Sequence, residues 1–322
     1  MNTKEPELFC RQVNKLIEHG CEITDYEQAI MILNKINYYK LSAYFLPFRD
    51  NDGNYKQGTT LLQVYKIYEF DRKLSAFLYG IIQKIEVFVK TQIAYYHSNK
   101  YGALGYLDHS NVADKMIEKH KKLIDNFNTE VKRNKELPFV KHHIDNYDGK
   151  FPLWVAVELF TLGNTSQFYS QMKTADKKVI ARSISYITQT ECTYSQLESC
   201  LRCLTTLRNK CAHFGRIYYS RFKWFPSLPY EEEYKAYARG RNFIYLYPYL
   251  YIMKVLYPSP ESWNGVVTEL AALIEEYSNY IDINCIGFPD NWEEQLSRRY
   301  PFELSINCRE GAKPAIILSV CC

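Results

Sequence analysis

The longest amphipathic pattern in the chain runs through residues 60–98, and no proline interrupts it. Apolar side chains recur there at steps of three and four residues, which is the period of an α-helix. They are Leu61, Val64, Ile67, Tyr68, Phe70, Leu74, Phe77, Leu78, Ile81, Ile82, Ile85, Val89 and Ile93. Because this apolar stripe is broad, we expect the helix to be buried on more than one side. Gly80 is the residue within it that weakens a helix.

Shorter segments with the same period indicate further helices along the chain. They cover residues 4–20, 25–36, 152–161, 174–188, 191–214, 231–257 and 261–281, with another helix starting at 164–166. Asp25 is the expected N-cap of the second. Residues 111–146 are more polar and predict a solvated helical face. No alternation is long enough for a strand, so the sequence predicts an all-α protein: one domain over 1–303 and an irregular tail over 304–322.

Charge and aromatic content limit the partners of the protein. Lys and Arg number 40 against 36 Asp and Glu, a formal net charge of +4, and aromatic residues make up 16% of the chain with 29 Tyr. A protein that coats DNA without specificity would be more basic. If nucleic acid binds, the positive charge must therefore be local. Tyr suits both the rim of a helical core and stacking on bases.

Cysteine usage and the N-terminal residues predict the compartment. The chain has ten Cys, begins with polar and acidic residues, and has no apolar run approaching the ~18 residues of a membrane helix. We therefore expect a cytoplasmic protein with reduced thiols and no membrane partner. Cys200 and Cys203 form a CxxC, but no second pair of ligands stands at zinc spacing. We expect both to pack in the core, and we expect no metal or cofactor.

The candidate chemistry lies in residues 207–216, at the end of the predicted helix 191–214. This segment holds Arg208, Asn209, His213 and Arg216. Arg carries a permanently charged, planar guanidinium group that can donate two hydrogen bonds to a phosphate. His can take up and release a proton near neutral pH. Together they are the minimum equipment for cutting a phosphodiester without a metal.

The helical period divides this segment into two faces. At 100° per residue the apolar face holds Cys200, Cys203, Leu204, Leu207, Cys211 and Phe214. Arg202, Asn209 and His213 lie nearly opposite, and Arg208 lies on the flank. Arg216 joins the polar face if the helix runs one more turn. The alternative interpretation is a solvated helix face, with His213 favoured near the C-terminus because a cation is stabilised there.

Residues 208–213 resemble the Arg-Asn-x-x-x-His pattern of the HEPN superfamily. Their flanks are similar to the Abi (AbiD/AbiF-like) abortive-infection proteins of bacteria. The similar segments are 37–44, 68–74, 85–87, 151–158 and 211–218, with a weaker similarity at 287–292. The six-residue motif alone is weak, whereas the ordered set is specific. Phe214 departs from the pattern, since relatives often carry a second histidine or a polar residue there.

The resemblance implies a HEPN-like helical bundle with additional helices. It also implies an antiphage protein that cuts RNA without a metal and acts as the toxin of a toxin–antitoxin system. The catalytic residues would be Arg208, Asn209 and His213, with Arg216 and Arg202 binding RNA phosphates. Glu86 and Glu158, which lie in similar segments, would support them by holding His213 in one tautomer or pairing with Arg208.

Such an enzyme would use the RNA 2′-OH as nucleophile and leave a 2′,3′-cyclic phosphate. One His per chain supplies one proton-transfer group, so we expect a homodimer. The alternative is a non-catalytic HEPN protein that binds a structured non-coding RNA. A third interpretation is a helical interaction protein in which the motif is structural.

Overall fold

A computed structural model describes residues 5–227 and 244–299. Within these residues the chain is all-α, as predicted, and forms no strand. The helices are α1 (Phe9–Glu18), α2 (Tyr26–Lys35), α3 (Tyr38–Phe45), α4 (Leu61–Tyr101), α5 (Ile117–Arg133), α6 (Pro138–Asn146), α7 (Leu153–Leu159), α8 (Leu162–Gln171), α9 (Thr174–Thr188), α10 (Tyr194–Ala212), α11 (Tyr247–Leu256), α12 (Trp263–Glu276) and α13 (Trp292–Ser297). The predicted tail 304–322, and residues 231–243 of one predicted helix, lie outside the described residues. The single-domain boundary at residue 303 stays a prediction.

The central element is α4, which has 41 residues and is therefore about 60 Å long. It begins where the Thr60 side chain accepts a hydrogen bond from the backbone N–H of Gln63, a standard N-cap. Helices α3, α7, α9, α10, α11 and α12 all pack against it. The broad apolar stripe is thus covered on several sides, as its width predicts. Within the described part of the chain, no helix is long and apolar enough to cross a membrane.

Helix α10 carries the candidate motif and packs on α4, α8 and α9. Thr193 and Gln196 form a capping box at its start. Cys200, Cys203 and Cys211 are buried on its inner face, which confirms their assignment to the core. Burial raises the pKa of the Cys203 and Cys211 thiols to about 11. They are therefore protonated at neutral pH and pack as small apolar groups.

Two parts of the secondary structure differ from the prediction. The polar stretch 111–146 divides into α5 and α6, because Pro138 is the first residue of α6 and cannot continue a preceding helix. The segment 37–44, to which the sequence assigned no element, forms most of α3. Its N-cap is Asn37, whose side chain accepts a hydrogen bond from the backbone N–H of Tyr39. Asp25 caps α2 as predicted.

Two histidines are buried where α4, α5 and α8 meet. The rings of His97 and His120 lie 5.2 Å and 6.0 Å from the ring of Phe168. Burial lowers the pKa of each imidazole to about 4, so both are neutral at pH 7. The nearby Asp176 carboxylate, which opposes this shift at His97, accepts a hydrogen bond from Tyr101 and pairs with Lys100.

Candidate functional site

The motif helix ends one residue before the motif histidine. Ala212 is the last helical residue and His213 is the C-cap. The N–H of Phe214 then donates to the carbonyl of Cys211 at 3.1 Å, and that of Gly215 donates to the carbonyl of Lys210 at 2.8 Å. This pair of bonds is a Schellman motif. It turns the chain away from the axis of α10 directly after His213.

The turn requires a left-handed residue at position 214, where φ is +53°. Gly or Asn usually takes this place, because a side chain in left-handed backbone costs about 1–2 kcal/mol. At Gly215, in contrast, a Cβ atom would lie only 2.8 Å from Cγ of Lys210 and 3.1 Å from its carbonyl oxygen. Glycine is therefore needed at 215 for space and would be favoured at 214 for conformation.

The placement of Phe214 on the buried face was wrong. Its side chain is 67% exposed, because the helical period no longer applies once the chain turns out of the helix at residue 213. The ring lies 5.4 Å from the ammonium group of Lys40, in a cation–π contact. An aromatic side chain thus stands in solvent beside the exposed His213.

The polar face of α10 has the predicted composition. Arg202, Asn209 and His213 are exposed, and Arg208 lies on the flank with 24% of its side chain accessible. Nη1 of Arg208 lies 3.5 Å from Oδ1 of Asn209 and donates to it. The guanidinium also lies 5.8 Å from the ring centre of Tyr79 on α4. Asn209 therefore contacts Arg208 through its side-chain oxygen.

Glu86 is the acidic residue that reaches the motif. Its Oε2 lies 3.8 Å from Nε of Arg208, and its Oε1 lies 2.9 Å from Nζ of Lys90. Nε of Arg208 is buried and 3.8 Å is too long for a hydrogen bond, so the contact is an ion pair. One carboxylate thus stands between two cations and holds Arg208 from the α4 side. The accessible part of the guanidinium stays open to an anion.

Glu158 lies elsewhere. It is exposed on α7 and lines a cavity of about 560 Å³ between α7 and α4, together with Lys90, Tyr95 and Trp154. Lys90, which lines the same cavity, pairs with Glu86. Trp154 is 54% exposed, so its ring is only partly used in packing.

The two remaining arginines lie apart from Arg208. Because α10 stops at Ala212, Arg216 does not extend its polar face. Its Nη1 donates to the carbonyl of Ala43 at the end of α3, and its guanidinium lies 5.8 Å from the ring of Tyr44. Arg202 stacks on Trp224 at 4.5 Å. It precedes His213 by eleven residues, or about 16 Å of helix rise. Arg202 and His213 therefore cannot contact the same phosphate.

Asp71, a buried carboxylate on α4, anchors the segment after the motif. It forms an ion pair with Arg72, whose Nη2 lies 2.8 Å from Oδ2 of Asp71. The buried carboxylate also accepts hydrogen bonds from the backbone N–H groups of Ile217, at 3.1 Å, and Tyr218, at 2.8 Å. Arg72 donates to the carbonyl of Gly215 at 2.9 Å. The sequence feature that could have indicated this role is the position of Asp71, a carboxylate within the apolar stripe of α4.

These contacts bring together three of the sequence segments on which the resemblance depends: 37–44, 68–74 and 211–218. A family model described as Abi-like protein matches residues 31–219, more than half of the chain. The chain belongs to this family. Membership supports a function of the abortive-infection type. No curated protein and no solved structure matches the chain.

In this Abi-like protein the end of α10 is a cationic surface. The ammonium group of Lys40 contacts the Phe214 ring, that of Lys210 lies 5.2 Å from the ring centre of Phe222, and Arg216 contacts Ala43 and Tyr44. Within residues 5–227 and 244–299 none of the three cations forms an ion pair with a carboxylate. Burial and the charge of Arg216 lower the pKa of Lys210. Over the same residues, no group of three or more His, Cys, Asp or Glu side chains is placed to hold a metal ion.

Proposed function

We propose that this protein is a metal-independent endoribonuclease of the HEPN type, acting in antiphage abortive infection. The observation that carries the proposal is the arrangement at the end of α10. An exposed imidazole, an amide and an arginine held by a carboxylate lie within a span of six residues, or about 7.5 Å of helix rise from the first to the last. The family membership supports the same biological role.

RNA supplies its own nucleophile, the 2′-OH next to the phosphorus. The enzyme must take the proton from that oxygen, stabilise negative charge on the phosphoryl oxygens and protonate the leaving 5′-oxygen. His213 is the proposed acid or base, and Arg208 binds the non-bridging oxygens. Asn209 positions Arg208. The O2′–P bond forms as the P–O5′ bond breaks, which leaves a 2′,3′-cyclic phosphate and a 5′-OH.

The other residues act around this centre in the proposal. Glu86 positions Arg208, while Glu158 lies farther away, on the cavity between α4 and α7. Arg216 and Arg202 bind neighbouring phosphates of the same RNA. Because one chain contributes one imidazole to the end of α10, a homodimer would supply both the acid and the base. We propose that the dimer acts on RNA in the cytoplasm, as in toxin–antitoxin systems.

The experiment is incubation of total cellular RNA with the wild type and with His213→Ala in EDTA, followed by mapping of the ends. We expect the wild type to leave 2′,3′-cyclic phosphate and 5′-OH ends and His213→Ala to leave the RNA intact. His142→Ala, which removes an exposed imidazole from α6, is the matched control and should cut normally. The proposal fails if cleavage needs added Mg²⁺, if DNA is cut as readily as RNA, or if His213→Ala cuts at the wild-type rate.

One observation favours a second candidate function, RNA binding without cleavage. The side-chain oxygen of Asn209 accepts a hydrogen bond from Arg208, so within the described residues it does not fix the tautomer of His213, as the partner of a catalytic imidazole usually does. A protein of this kind would hold a structured non-coding RNA on the same cationic surface. In the same experiment it would retain RNA and cut none, with or without His213.

A further inference from the structure

Phe214 is unfavourable for folding in two separate ways. Its backbone is left-handed, a conformation that a bulky side chain rarely adopts, and its apolar ring is mostly in solvent. Gly or Asn would close the Schellman motif at less cost. The ring contact that the structure gives it is with Lys40, at the surface. The local fold therefore does not explain why phenylalanine occupies this position. Contact of its ring with a ligand would explain it.

The surroundings of the ring indicate the chemistry of that ligand. Lys40 places its ammonium group against the ring, and Tyr39, the residue before Lys40, is 86% exposed. Lys210 and Arg216, which flank Phe214 in the chain and repel one another, add positive charge to the same end of α10. Lysine is depleted at the centre of protein–protein interfaces. Aromatic rings set among cations are instead typical of surfaces that bind single-stranded nucleic acid, with bases on the rings and phosphates on the cations.

We propose that Phe214 is a stacking platform for an unpaired nucleobase of RNA, next to the phosphate that Arg208 and His213 hold. Lys40 binds a phosphate that flanks the stacked base. This inference rests on the proposed function and adds a substrate class to it: single-stranded RNA, with tolerance for base identity. In a duplex the faces of the bases are covered by their neighbours, so the platform selects against duplex RNA.

The test compares Phe214→Gly and Phe214→Trp in a His213→Ala background, so that the RNA stays intact. The probe is a single-stranded RNA oligonucleotide carrying 2-aminopurine, whose fluorescence is quenched by stacking. Tyr186→Ala, which removes an exposed aromatic from α9, is the matched control. A duplex of the same sequence is the second probe, and the melting temperature of each variant is measured alongside.

We expect Phe214→Gly to bind the single strand about 10-fold more weakly and to lose the quenching, since stacking on one aromatic supplies an effect of this order. Its melting temperature should equal or exceed that of the parent, because glycine relieves the left-handed strain. Phe214→Trp should keep both the affinity and the quenching. Tyr186→Ala should change neither, and duplex affinity should be the same for all variants.

The inference is overturned if Phe214→Gly binds and quenches like the parent, or if it melts several degrees lower, which would show a structural role. It is also overturned if the variant only converts a dimer to a monomer in sedimentation, because the ring would then contact a second copy. Failure of the proposed function looks different. A wild type that quenches the probe but cuts no RNA supports the platform and refutes the nuclease, and one that neither binds nor cuts refutes both.

Discussion

The Asp71 carboxylate accepts a hydrogen bond at 2.8 Å from the backbone N–H of Tyr218, 147 positions along the chain. This bond fixes the segment that leaves the motif helix. Asp71→Ala would leave Arg72 half-buried without its carboxylate and two buried N–H groups without an acceptor. Because unpairing a buried charge is costly, we expect the free energy of unfolding to fall by about 3 kcal/mol. Urea denaturation measures it.

The control for that measurement is Asp145→Ala, which removes an exposed carboxylate from α6. It should leave the urea midpoint nearly unchanged, since surface substitutions usually alter stability by less than about 0.5 kcal/mol. Equal losses in both variants would contradict the anchoring role of Asp71.

Gly80→Ala should stabilise α4. Glycine within a helix costs roughly 0.5–1 kcal/mol relative to alanine, and a Cβ atom at Gly80 would have no neighbour within 4 Å outside the local helix backbone. The melting temperature should therefore rise by about 2 °C. A fall in the melting temperature would mean that the fold of α4 needs glycine at this position.

Acid should destabilise the protein through His97 and His120. Both imidazoles have a pKa of about 4 in the folded protein, against an ordinary value of 6.5, because burial disfavours the charged form. Between pH 6.5 and 4 the unfolded chain binds more protons, so stability is lost as the pH falls. The slope is about 1.4 kcal/mol per pH unit for each group. Urea midpoints across this range check it.

His97→Leu separates this effect from other acid titrations. The variant should lose stability less steeply below pH 6.5, because one of the two titrating groups is gone. His142→Ala, at an exposed site, should retain the wild-type slope. An unchanged slope in His97→Leu would refute the assignment.

Arg208 and Arg202 should affect RNA cleavage differently. Arg208→Lys keeps the charge but loses the planar fork, and we expect kcat to fall about 100-fold, as when one donor to a developing anion is removed. Arg202→Ala should leave kcat unchanged, because Arg202 lies about 16 Å of helix rise before His213. It should weaken RNA binding and reduce the salt dependence by about one phosphate contact. Steady-state kinetics at several salt concentrations distinguish the two roles.

The features that the sequence predicts well are those set by local period. The helical repeat of α10 correctly buries Cys203 and exposes Asn209, and it correctly puts Arg208 on the flank. The same reasoning correctly predicts that α4 is a long helix and that it is buried on more than one side. These outcomes follow from side-chain spacing alone, which the sequence contains directly.

The features that the sequence does not predict depend on chain reversal or on distant contacts. Phe214 continues the apolar period of α10, and only the turn at His213 brings it into solvent. Glu86 and Glu158 are alike as sequence candidates, yet α4 brings the first to Arg208 and α7 keeps the second on a separate cavity. The bond from Asp71 to Tyr218 joins residues that share no local pattern. Periodicity carries no information about such pairs.

The length of α4 has a consequence for insertions and deletions. Asp71 and Glu86 lie fifteen positions apart on the continuous helix α4, about 22 Å along its axis. The first fixes where the chain goes after His213, and the second fixes Arg208. One added or deleted residue between them would rotate Glu86 by about 100° relative to Asp71. The length of α4 therefore sets the positions of Asp71 and Glu86 relative to one another. A change of one residue in that length would separate Arg208 from Glu86, although every side chain of the motif would still be present.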